Sequence, residues 1–215
     1  MNIYMMAGGP EQYIPDISAY TKEEGTWIGV DKGVLYLINR SISVEAAFGD
    51  FDSVSEKEWE LICGHSANIK KFKPEKDETD MELALNWAIR QQPERICIFG
   101  ATGGRLDHTL ANIQLLLKEL LCNEQIKIEL IDNKNKVHIV RSGIHILKRE
   151  EAYPYISFFP YSEETVGLTL EGFKYPLKDK YLPVSSTLCI SNELISEYGT
   201  FSFAKGILLV IRSHD

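Results

Sequence analysis

The 215-residue sequence has no paired cysteines, no surplus of basic residues and no long hydrophobic run. Its four cysteines stand far apart without a CxxC motif, which favours buried, reduced thiols. A net charge of -8 leaves no basic stripe to neutralise a row of phosphates, so we expect no nucleic-acid partner. No run approaches the roughly 18 apolar residues of a membrane span, and no basic leader precedes the first predicted strand. We therefore expect a cytoplasmic protein without a membrane partner.

Several catalytic and nucleotide-binding motifs are also missing. Neither GxGxxG nor GxxxxGK[ST] occurs, so a nicotinamide-dependent reductase and a Walker-type phosphate loop are not indicated. No GxSxG surrounds a serine, which removes support for a serine hydrolase. The histidines form no ligand pattern, and His108 is expected to pack or hydrogen-bond at the start of a helix. An acidic protein can still bind a nucleotide if local cations, amides or a metal offset the background field.

The first part of the chain alternates short apolar runs with helical patterns. The near-continuous apolar runs are typical of strands covered on both faces of a parallel sheet. Helices are indicated by the pairs Ser55/Glu58 and Thr79/Glu82, which resemble capping boxes. A third helix is indicated over residues 107–121, whose apolar residues recur at helical spacing at Leu110, Ile113, Leu117 and Leu121. We predict a doubly wound, mostly parallel, Rossmann-like α/β sheet that binds ligands at the carboxyl ends of its strands. The predicted strands are Ile3–Met6, Trp27–Val30, Glu45–Phe48, Ile69–Phe72, Arg95–Phe99 and Ile126–Ile131.

The pattern changes at the segment DNKNK, residues 132–136. All later apolar runs are strand-like, and turns rich in Gly, Pro, Asn, Asp and Lys separate them at the spacing of a small sandwich or barrel. We therefore predict two domains, residues 1–132 and 133–215. The predicted strands of the second domain are residues 136–140, 143–148, 155–161, 166–172, 186–191, 200–205 and 207–212.

Acidic residues follow two predicted strands of the first domain. Asp50 and Asp52 come after one strand, and Asp77, Glu78 and Asp80 come after the next. If the chain stays extended, Asp50 and Asp52 point the same way, and Mg²⁺ favours carboxylate oxygens. The alternatives are an Asx turn for the pair and a capped helix start for the other acids. Because both groups leave successive strands at one edge of the sheet, we favour a metal site.

A glycine-rich turn joins the strand that ends at Phe99 to the next predicted helix. Gly100, Gly103 and Gly104 let main-chain amides approach a phosphate, and the helix start adds its positive dipole end. Arg105 supplies a guanidinium fork suited to phosphate oxygens. This segment therefore predicts a phosphate site, although it matches no standard nucleotide motif.

Two earlier segments, MMAGGP and GVDKG, also end predicted strands. Gly8, Gly9 and Gly33 are accounted for by tight turns alone. Asp31 and Lys32 are well placed to touch a nucleotide, because they stand at the end of a predicted parallel strand.

Taken in order, the motifs GDFDSVS, KDETD and GATGGRLDHTLANI resemble those of the bacterial thiamine pyrophosphokinase family. GVDKG before them and ISNEL after them resemble the family's flanking signatures, so the likeness covers nearly the whole chain. It implies an α/β nucleotide-binding domain followed by a C-terminal β-sandwich. It also implies transfer of the pyrophosphoryl group of ATP to the hydroxyl of thiamine, with Mg²⁺ as cofactor and AMP as the second product. The implied assembly is a homodimer with the thiamine site at the subunit interface.

The resemblance also implies roles for single residues. Asp50 and Asp52 would lie beside the metal and the triphosphate, with Asp80 completing the metal set. Catalytic roles fall to Asp80, Arg105 and Asp107. The implied ATP-binding residues are Gly8, Gly9, Asp31, Lys32, Gly33, Thr102, Gly103, Gly104 and Arg105.

The thiamine site is implied at Asp107, Ser191 and Asn192. No tryptophan occurs in the second domain, so aromatic packing against thiamine there would have to come from Phe or Tyr. Glu75 stands where the family often has Asp, and no role is assigned to it.

Two other interpretations stay open at this point. A binding protein for thiamine or a nucleotide would hold its ligands without turnover, and the acid cluster argues against it. A pyrophosphokinase for another heterocyclic alcohol, such as a pterin, would differ only in the pocket of the second domain. The release of AMP from ATP in the presence of thiamine separates these interpretations.

Overall fold

The computed structural model describes residues 1–52, 54–71, 77–122 and 126–215. The chain divides into two compact units, Met1–Asn133 and Lys134–Asp215. The predicted strand end at Phe72 and the position Glu75 lie outside the described residues, as do the side chains of Leu121 and Cys122.

Parallel strands form the sheet of the first unit. They are β1 Asn2–Met6, β2 Gly25–Val30, β3 Val44–Gly49, β4 Ser66–Lys71, β5 Arg95–Phe99 and β6 Lys127–Ile131. Their order is β6-β5-β1-β2-β3-β4. The apolar side chains of β1 and β5 are almost fully buried, because the sheet is covered on both faces. All carboxyl ends meet at one edge of this sheet.

In the described part of the first unit, four α-helices lie between strands. They are α1 Gly33–Asn39, α2 Glu56–His65, α3 Asp80–Arg90 and α4 Leu106–Cys122. Ser55 and Glu58 form a complete capping box at α2, and the Thr79 hydroxyl accepts a bond from the Glu82 amide at α3. Helix α1 was not predicted, because it is short and begins directly after a strand turn without a capping side chain.

Aromatic rings from three neighbouring strands fill the centre of the first unit. The Tyr4 and Trp27 rings are 4.8 Å apart, and the Trp27 and Phe99 rings are stacked at 5.7 Å. Burial and a hydrogen bond donated to Glu23 raise the pKa of Tyr4 to about 12, so the phenol stays neutral. The rings therefore pack closely together in the core of the first unit.

The buried face of α4 differs from the predicted one. Leu115 and Leu116 are buried, whereas Leu110, which the periodicity placed on the apolar face, is 53% exposed. Helix α4 carries apolar residues on more than one side, so spacing alone does not select the face that meets the sheet.

The second unit consists of antiparallel strands. They are β7 Asn135–Lys148, β8 Tyr155–Pro160, β9 Glu164–Glu171, β10 Leu177–Pro183, β11 Asn192–Glu193 and β12 Tyr198–Ser213. The long strand β12 pairs with β7, β8 and β9, and β10 pairs with β9. The rings of Phe173 and Phe201 pack against Phe158 in the core of this unit, edge-on and tilted respectively.

Some strand predictions in the second unit were wrong in extent. Residues 136–148 belong to the single strand β7, and residues 200–212 to β12, which a register shift between Phe203 and Ile207 distorts. Residues 186–191 form turns instead of a strand. Strand β10 was missed because its sequence LKDKYLP has the composition of a loop.

Two of the cysteines fit the expectation of buried thiols, and a third does not. Cys97 and Cys189 are buried and free, and burial raises their pKa to about 12 and about 11. Cys63 is exposed, because α2 buries only Ile62 fully. Among the described helices, none has the length and apolar character needed to cross a bilayer.

Candidate active site

A cavity of about 670 Å³ lies in the first unit, where β1, β2 and β5 end. This volume is typical of small-molecule sites. Four predicted site residues of the first unit do not line the cavity but lie within two sequence positions of a residue that does. They are Gly33, Asp52, Gly103 and Asp107. The predicted site residues that line the cavity are Gly8, Gly9, Asp31, Lys32, Asp50, Asp80, Thr102, Gly104 and Arg105.

The turn of residues 100–104 forms one wall of this cavity. Gly100 and Gly103 have φ values of 65° and 80°, which favour glycine. The Gly9 amide donates to the Gly100 carbonyl at 2.8 Å, and a Cβ on Gly9 would lie 2.3 Å from that oxygen. A Cβ on Gly103 would lie 2.1 Å from the Tyr13 ring. These close approaches explain why glycine occupies positions 9 and 103.

Asp132 is a residue of this region that sequence reasoning missed. Its carboxylate accepts a hydrogen bond from the Thr102 hydroxyl at 2.6 Å and is almost fully buried. Asp132 directly follows β6, so it stands at the same sheet edge as Asp31 and Asp50. An acid immediately after a buried strand was the available signal, but the segment DNKNK was interpreted only as a domain boundary.

Asp31 and Gly49 fit together at the ends of β2 and β3. The Asp31 amide donates to the Phe48 carbonyl at 2.8 Å, and Asp31 has a left-handed φ of 51°. A Cβ on Gly49 would lie 2.4 Å from Asp31 Oδ1, so glycine leaves room for that carboxylate. Such strained backbone at a ligand cavity is a common feature of functional sites.

The segment Asp50–Phe51–Asp52 is a turn, not the extended chain that the sequence suggested. The Asp50 carboxylate accepts a bond from the Asp52 amide at 3.1 Å, and Phe51 has a φ of 58°. The Phe51 ring is buried against Trp59, which anchors the turn. Asp50 lines the cavity, whereas Asp52 is exposed and does not. The structure therefore realises the Asx turn and still presents one of its carboxylates to the cavity.

A second group of acids lines the cavity at the start of α3. Asp77, Glu78 and Thr79 precede the helix, and Asp80 is its first residue. The N-terminal end of the helix dipole favours negative charge at this position. Thr79 both caps the helix and lines the cavity, so α3 holds these acids in place.

Arg105 and Asp107 form an ion pair at the start of α4. Arg105 Nη2 lies 2.6 Å from Asp107 Oδ2, and Arg105 Nε lies 3.1 Å from Oδ1. The hydrogen bond from Arg105 lowers the pKa of Asp107 to about 2. His108, in the same helical turn, also lines the cavity.

The predicted thiamine residues of the second unit differ in exposure. Ser191 is exposed, has a φ of 54°, and its amide donates to the Ser157 hydroxyl at 2.9 Å. Asn192 is 3% exposed, and its amide group both accepts from the Tyr175 amide and donates to the Tyr175 carbonyl. Asn192 therefore holds the backbone of Tyr175, while Ser191 faces solvent.

The acids of the cavity suit a hard divalent cation that phosphate oxygens would help to bind. Of the predicted metal ligands, Asp50 and Asp80 line the cavity and offer carboxylate oxygens from two different segments. Among the described residues, no group of three or more His, Cys, Asp and Glu side chains is arranged so that the group alone could hold a metal ion. Mg²⁺ commonly binds through one or two carboxylates plus substrate phosphates, so this donor set fits such an ion.

Comparison with protein families finds two matches along the chain. The model described as "Thiamin pyrophosphokinase, catalytic domain" matches residues 17–130, and "Thiamin pyrophosphokinase, vitamin B1 binding domain" matches residues 143–208. The first match spans the cavity-lining residues from Val30 to Asn112. The second spans Ser191 and Asn192.

Individual proteins align over the whole length. A thiamine pyrophosphokinase of Bacillus subtilis is 51% identical over 213 residues, with 99% of each chain covered. A crystal structure of thiamine pyrophosphokinase from the same species has a TM-score of 0.94 at 49% identity, and 100% of both chains is covered. A Geobacillus thermodenitrificans structure has a TM-score of 0.91 at 41% identity, with coverage of 100% and 98%.

Proposed function

The chain belongs to the thiamin pyrophosphokinase family, and we propose how its own residues carry out that family's reaction. It transfers the pyrophosphoryl group of ATP to the hydroxyl of thiamine, giving thiamine diphosphate and AMP. The observation that carries this conclusion is the 51% identity over 99% of the chain. The acid-lined cavity with its glycine turn agrees with the chemistry, because such transfer depends mainly on positioning and charge neutralisation.

We place ATP in the cavity of the first unit. The amides of Gly103 and Gly104 and the guanidinium of Arg105 would hold the phosphates, with the start of α4 adding its dipole. The remaining proposed ATP contacts are Gly8, Gly9, Asp31, Lys32, Gly33 and, through its main chain, Thr102.

We propose Asp50, Asp52 and Asp80 as the acids that hold Mg²⁺ together with the triphosphate. Asp50 and Asp80 line the cavity, which supports direct contact, and Asp52 would act from the far side of the Asx turn. A bound ion would neutralise the negative charge of the phosphates.

In the transfer step, the thiamine hydroxyl oxygen bonds to the β-phosphorus of ATP. The bond from that phosphorus to the oxygen bridging to the α-phosphate breaks, and its electron pair leaves with AMP. The proton of the thiamine hydroxyl passes to a phosphate oxygen or to water. Arg105 offsets the charge that develops on this leaving group. Asp80 orients the hydroxyl, while Asp107, whose pKa of about 2 makes it a weak base, lies at the thiamine end and aligns Arg105.

We propose that the second unit binds thiamine. Ser191 is exposed and available for direct contact. Asn192 is buried and committed to the Tyr175 backbone, so it would act by holding Tyr175, whose side chain is 58% exposed, in position. Because the second domain contains no tryptophan, aromatic packing against thiamine there would have to come from Phe or Tyr, and Tyr175 is such a residue.

The finer description of the assembly is also part of this proposal. We propose a Rossmann-like doubly wound domain at residues 1–132, a β-sandwich at 133–215, and a homodimer with the thiamine site at the subunit interface. The parallel strand order of the first unit and the antiparallel pairing of the second support the two architectures. The free thiols and the use of ATP support a cytoplasmic location.

The test is incubation of the purified protein with ATP, Mg²⁺ and thiamine, followed by separation of the products. We expect AMP and thiamine diphosphate in equal amounts, and no AMP without thiamine. The appearance of ADP would mean that the wrong phosphoryl group is assigned. Binding of both ligands without product would instead support a sensor, and turnover of a pterin alcohol but not thiamine would change the substrate.

A further inference from the structure

We infer that Asp132 is a positioning residue, which acts through the Thr102 hydroxyl to fix the turn of residues 100–104 in its phosphate-binding shape. The inference rests on the proposed nucleotide site. Asp132 is not among the residues that line the cavity, so its effect on ATP would pass through Thr102, which does line it.

The sheet brings these two residues together. Phe99 and Ile131 are paired in the register of β5 and β6, and Thr102 and Asp132 leave the sheet just beyond them. Their oxygen atoms are 2.6 Å apart, the length of a hydrogen bond from a hydroxyl to a carboxylate. Asp132 is 5% exposed, so water does not readily replace this bond when it is lost.

The direction of this bond determines what the turn offers to a phosphate. Because the Thr102 proton points at Asp132, the hydroxyl does not donate to ATP. The donors that remain on this wall are main-chain amides, and their direction depends on the conformation of the turn. A fixed Thr102 therefore matters for ATP binding without a side-chain contact to it.

Asn133, the next residue, supports the same turn indirectly, through residues 12 and 13. Its amide donates to the Tyr13 carbonyl and its side chain donates to the Gln12 carbonyl, both at 2.9 Å. The Tyr13 ring in turn packs against Gly103. From the helix side, the Asn112 side chain donates to the Ala101 carbonyl at 2.8 Å. Three contacts therefore hold the turn: Asp132 bonds Thr102, Asn112 bonds Ala101, and the Tyr13 ring packs against Gly103.

The test compares Thr102→Val, which keeps the shape of the side chain but removes the hydroxyl, with Thr102→Ser, which keeps the hydroxyl. We expect Thr102→Val to raise the KM for ATP about tenfold, the effect of one lost bond to a charged group, with the KM for thiamine within about twofold of wild type. Thr102→Ser should restore most of the affinity. Thr21→Val, which removes an exposed hydroxyl bonded to the Ser18 carbonyl outside the cavity, should leave both KM values unchanged.

Asp132→Ala should raise the KM for ATP as much as Thr102→Val does. The double variant should raise it no further than either single variant, because each removes the same hydrogen bond between Thr102 and Asp132. Thermal unfolding identifies the variants that fold, and if Asp132→Ala does not, the pair Thr102→Val and Thr102→Ser decides. An unchanged ATP KM in folded Thr102→Val, an equal rise for thiamine, or multiplied effects in the double variant would overturn the inference.

Calorimetric titration with ATP and Mg²⁺, without thiamine, separates this inference from the proposed function. A wild-type protein that binds ATP but forms no thiamine diphosphate would contradict the proposed function. Weaker ATP binding by Thr102→Val would still support the positioning role in that case. Equal ATP affinity of the two proteins would overturn the role even if the wild type is fully active.

Discussion

Arg105 and Asp107, two positions apart, face each other across two hydrogen bonds at the rim of the cavity. Both side chains are exposed, so the pair contributes little to folding stability. Its effect is geometric: the guanidinium that would meet the phosphates is already aligned before a ligand arrives. The same contact keeps Asp107 ionised in acid, because it lowers the pKa of that carboxyl from 3.8 to about 2.

The first prediction concerns the titration of Asp107. Its pKa of about 2 lies below the ordinary value of 3.8, so the ion pair contributes above about pH 4 and is lost as the pH falls toward 2. In Arg105→Gln the pKa of Asp107 should return to its ordinary range, because the principal hydrogen bond is gone. Carbon-detected NMR of the side-chain carboxyl measures this directly. Turnover should fall sharply in the same variant.

Arg149 provides the matched control, because it forms an exposed ion pair with Glu151, also two positions away, in the second unit. Arg149→Gln should change neither the pKa of Asp107 nor turnover. If Arg105→Gln left the pKa of Asp107 at about 2, the ion pair would not be its cause.

The second prediction concerns Asp50. Asp50→Asn should lower kcat by at least about tenfold and raise the Mg²⁺ concentration needed for half-maximal rate, as expected for a residue at a metal site. Asp52→Asn should also lower turnover and weaken the Mg²⁺ dependence. The measurement is the initial rate of AMP release over a series of Mg²⁺ concentrations.

Asp16 separates the turn from the metal role. Its carboxylate accepts from the Ser18 amide at 2.9 Å, in the same arrangement as Asp50 with the Asp52 amide, but Asp16 does not line the cavity. Asp16→Asn should leave the Mg²⁺ dependence unchanged. If Asp50→Asn behaved like Asp16→Asn, Asp50 would be only a turn residue.

The third prediction uses the two glycines before Arg105. Gly103→Ala should lower the free energy of unfolding by at least about 1 kcal/mol, because of its left-handed φ and the clash with Tyr13. Gly104 has no such φ, and a Cβ there would lie 3.4 Å from Pro10, an ordinary contact. Gly104→Ala should therefore change the free energy of unfolding by less than about 0.5 kcal/mol. Urea denaturation compares the two, and equal losses would contradict the explanation.

Features that depend on neighbouring residues were predicted well. The Ser55/Glu58 capping box is formed as expected, and the boundaries of β5, Arg95–Phe99, match the apolar run. Such signals lie within one turn or one strand, so the sequence contains them completely. The acids after the strands were likewise visible, because a parallel sheet places all its strand ends at one edge.

Features that depend on which strands and helices lie side by side in the fold could not be predicted from the sequence. The bond between Thr102 and Asp132 exists because β6 lies beside β5, and strand order is not contained in any local motif. The buried face of α4 likewise depends on its sheet contacts, which bury Leu116 and expose Leu110. The Asx turn at Asp50 could be named as an alternative but not chosen, because its side chain serves the turn and the cavity together.

The last prediction separates Ser191 from Asn192. Asn192→Ala removes a buried amide that accepts from and donates to Tyr175, which should lower the free energy of unfolding by about 1–3 kcal/mol and raise the KM for thiamine. Ser191→Ala changes an exposed side chain, so it should raise the KM for thiamine without a comparable loss of stability. Urea denaturation and steady-state kinetics measure the two effects.

Tyr175→Phe and Tyr175→Ala complete the comparison. If Asn192 acts by holding Tyr175, then the double variant should raise the KM for thiamine little more than Tyr175→Ala alone. The reason is that Asn192→Ala only disorders the ring that Tyr175→Ala removes. Tyr175→Phe should retain most of the thiamine affinity if the ring face makes the contact. A KM for thiamine that stays at the wild-type value in Tyr175→Ala but rises in Asn192→Ala would mean that Asn192 does not act through Tyr175.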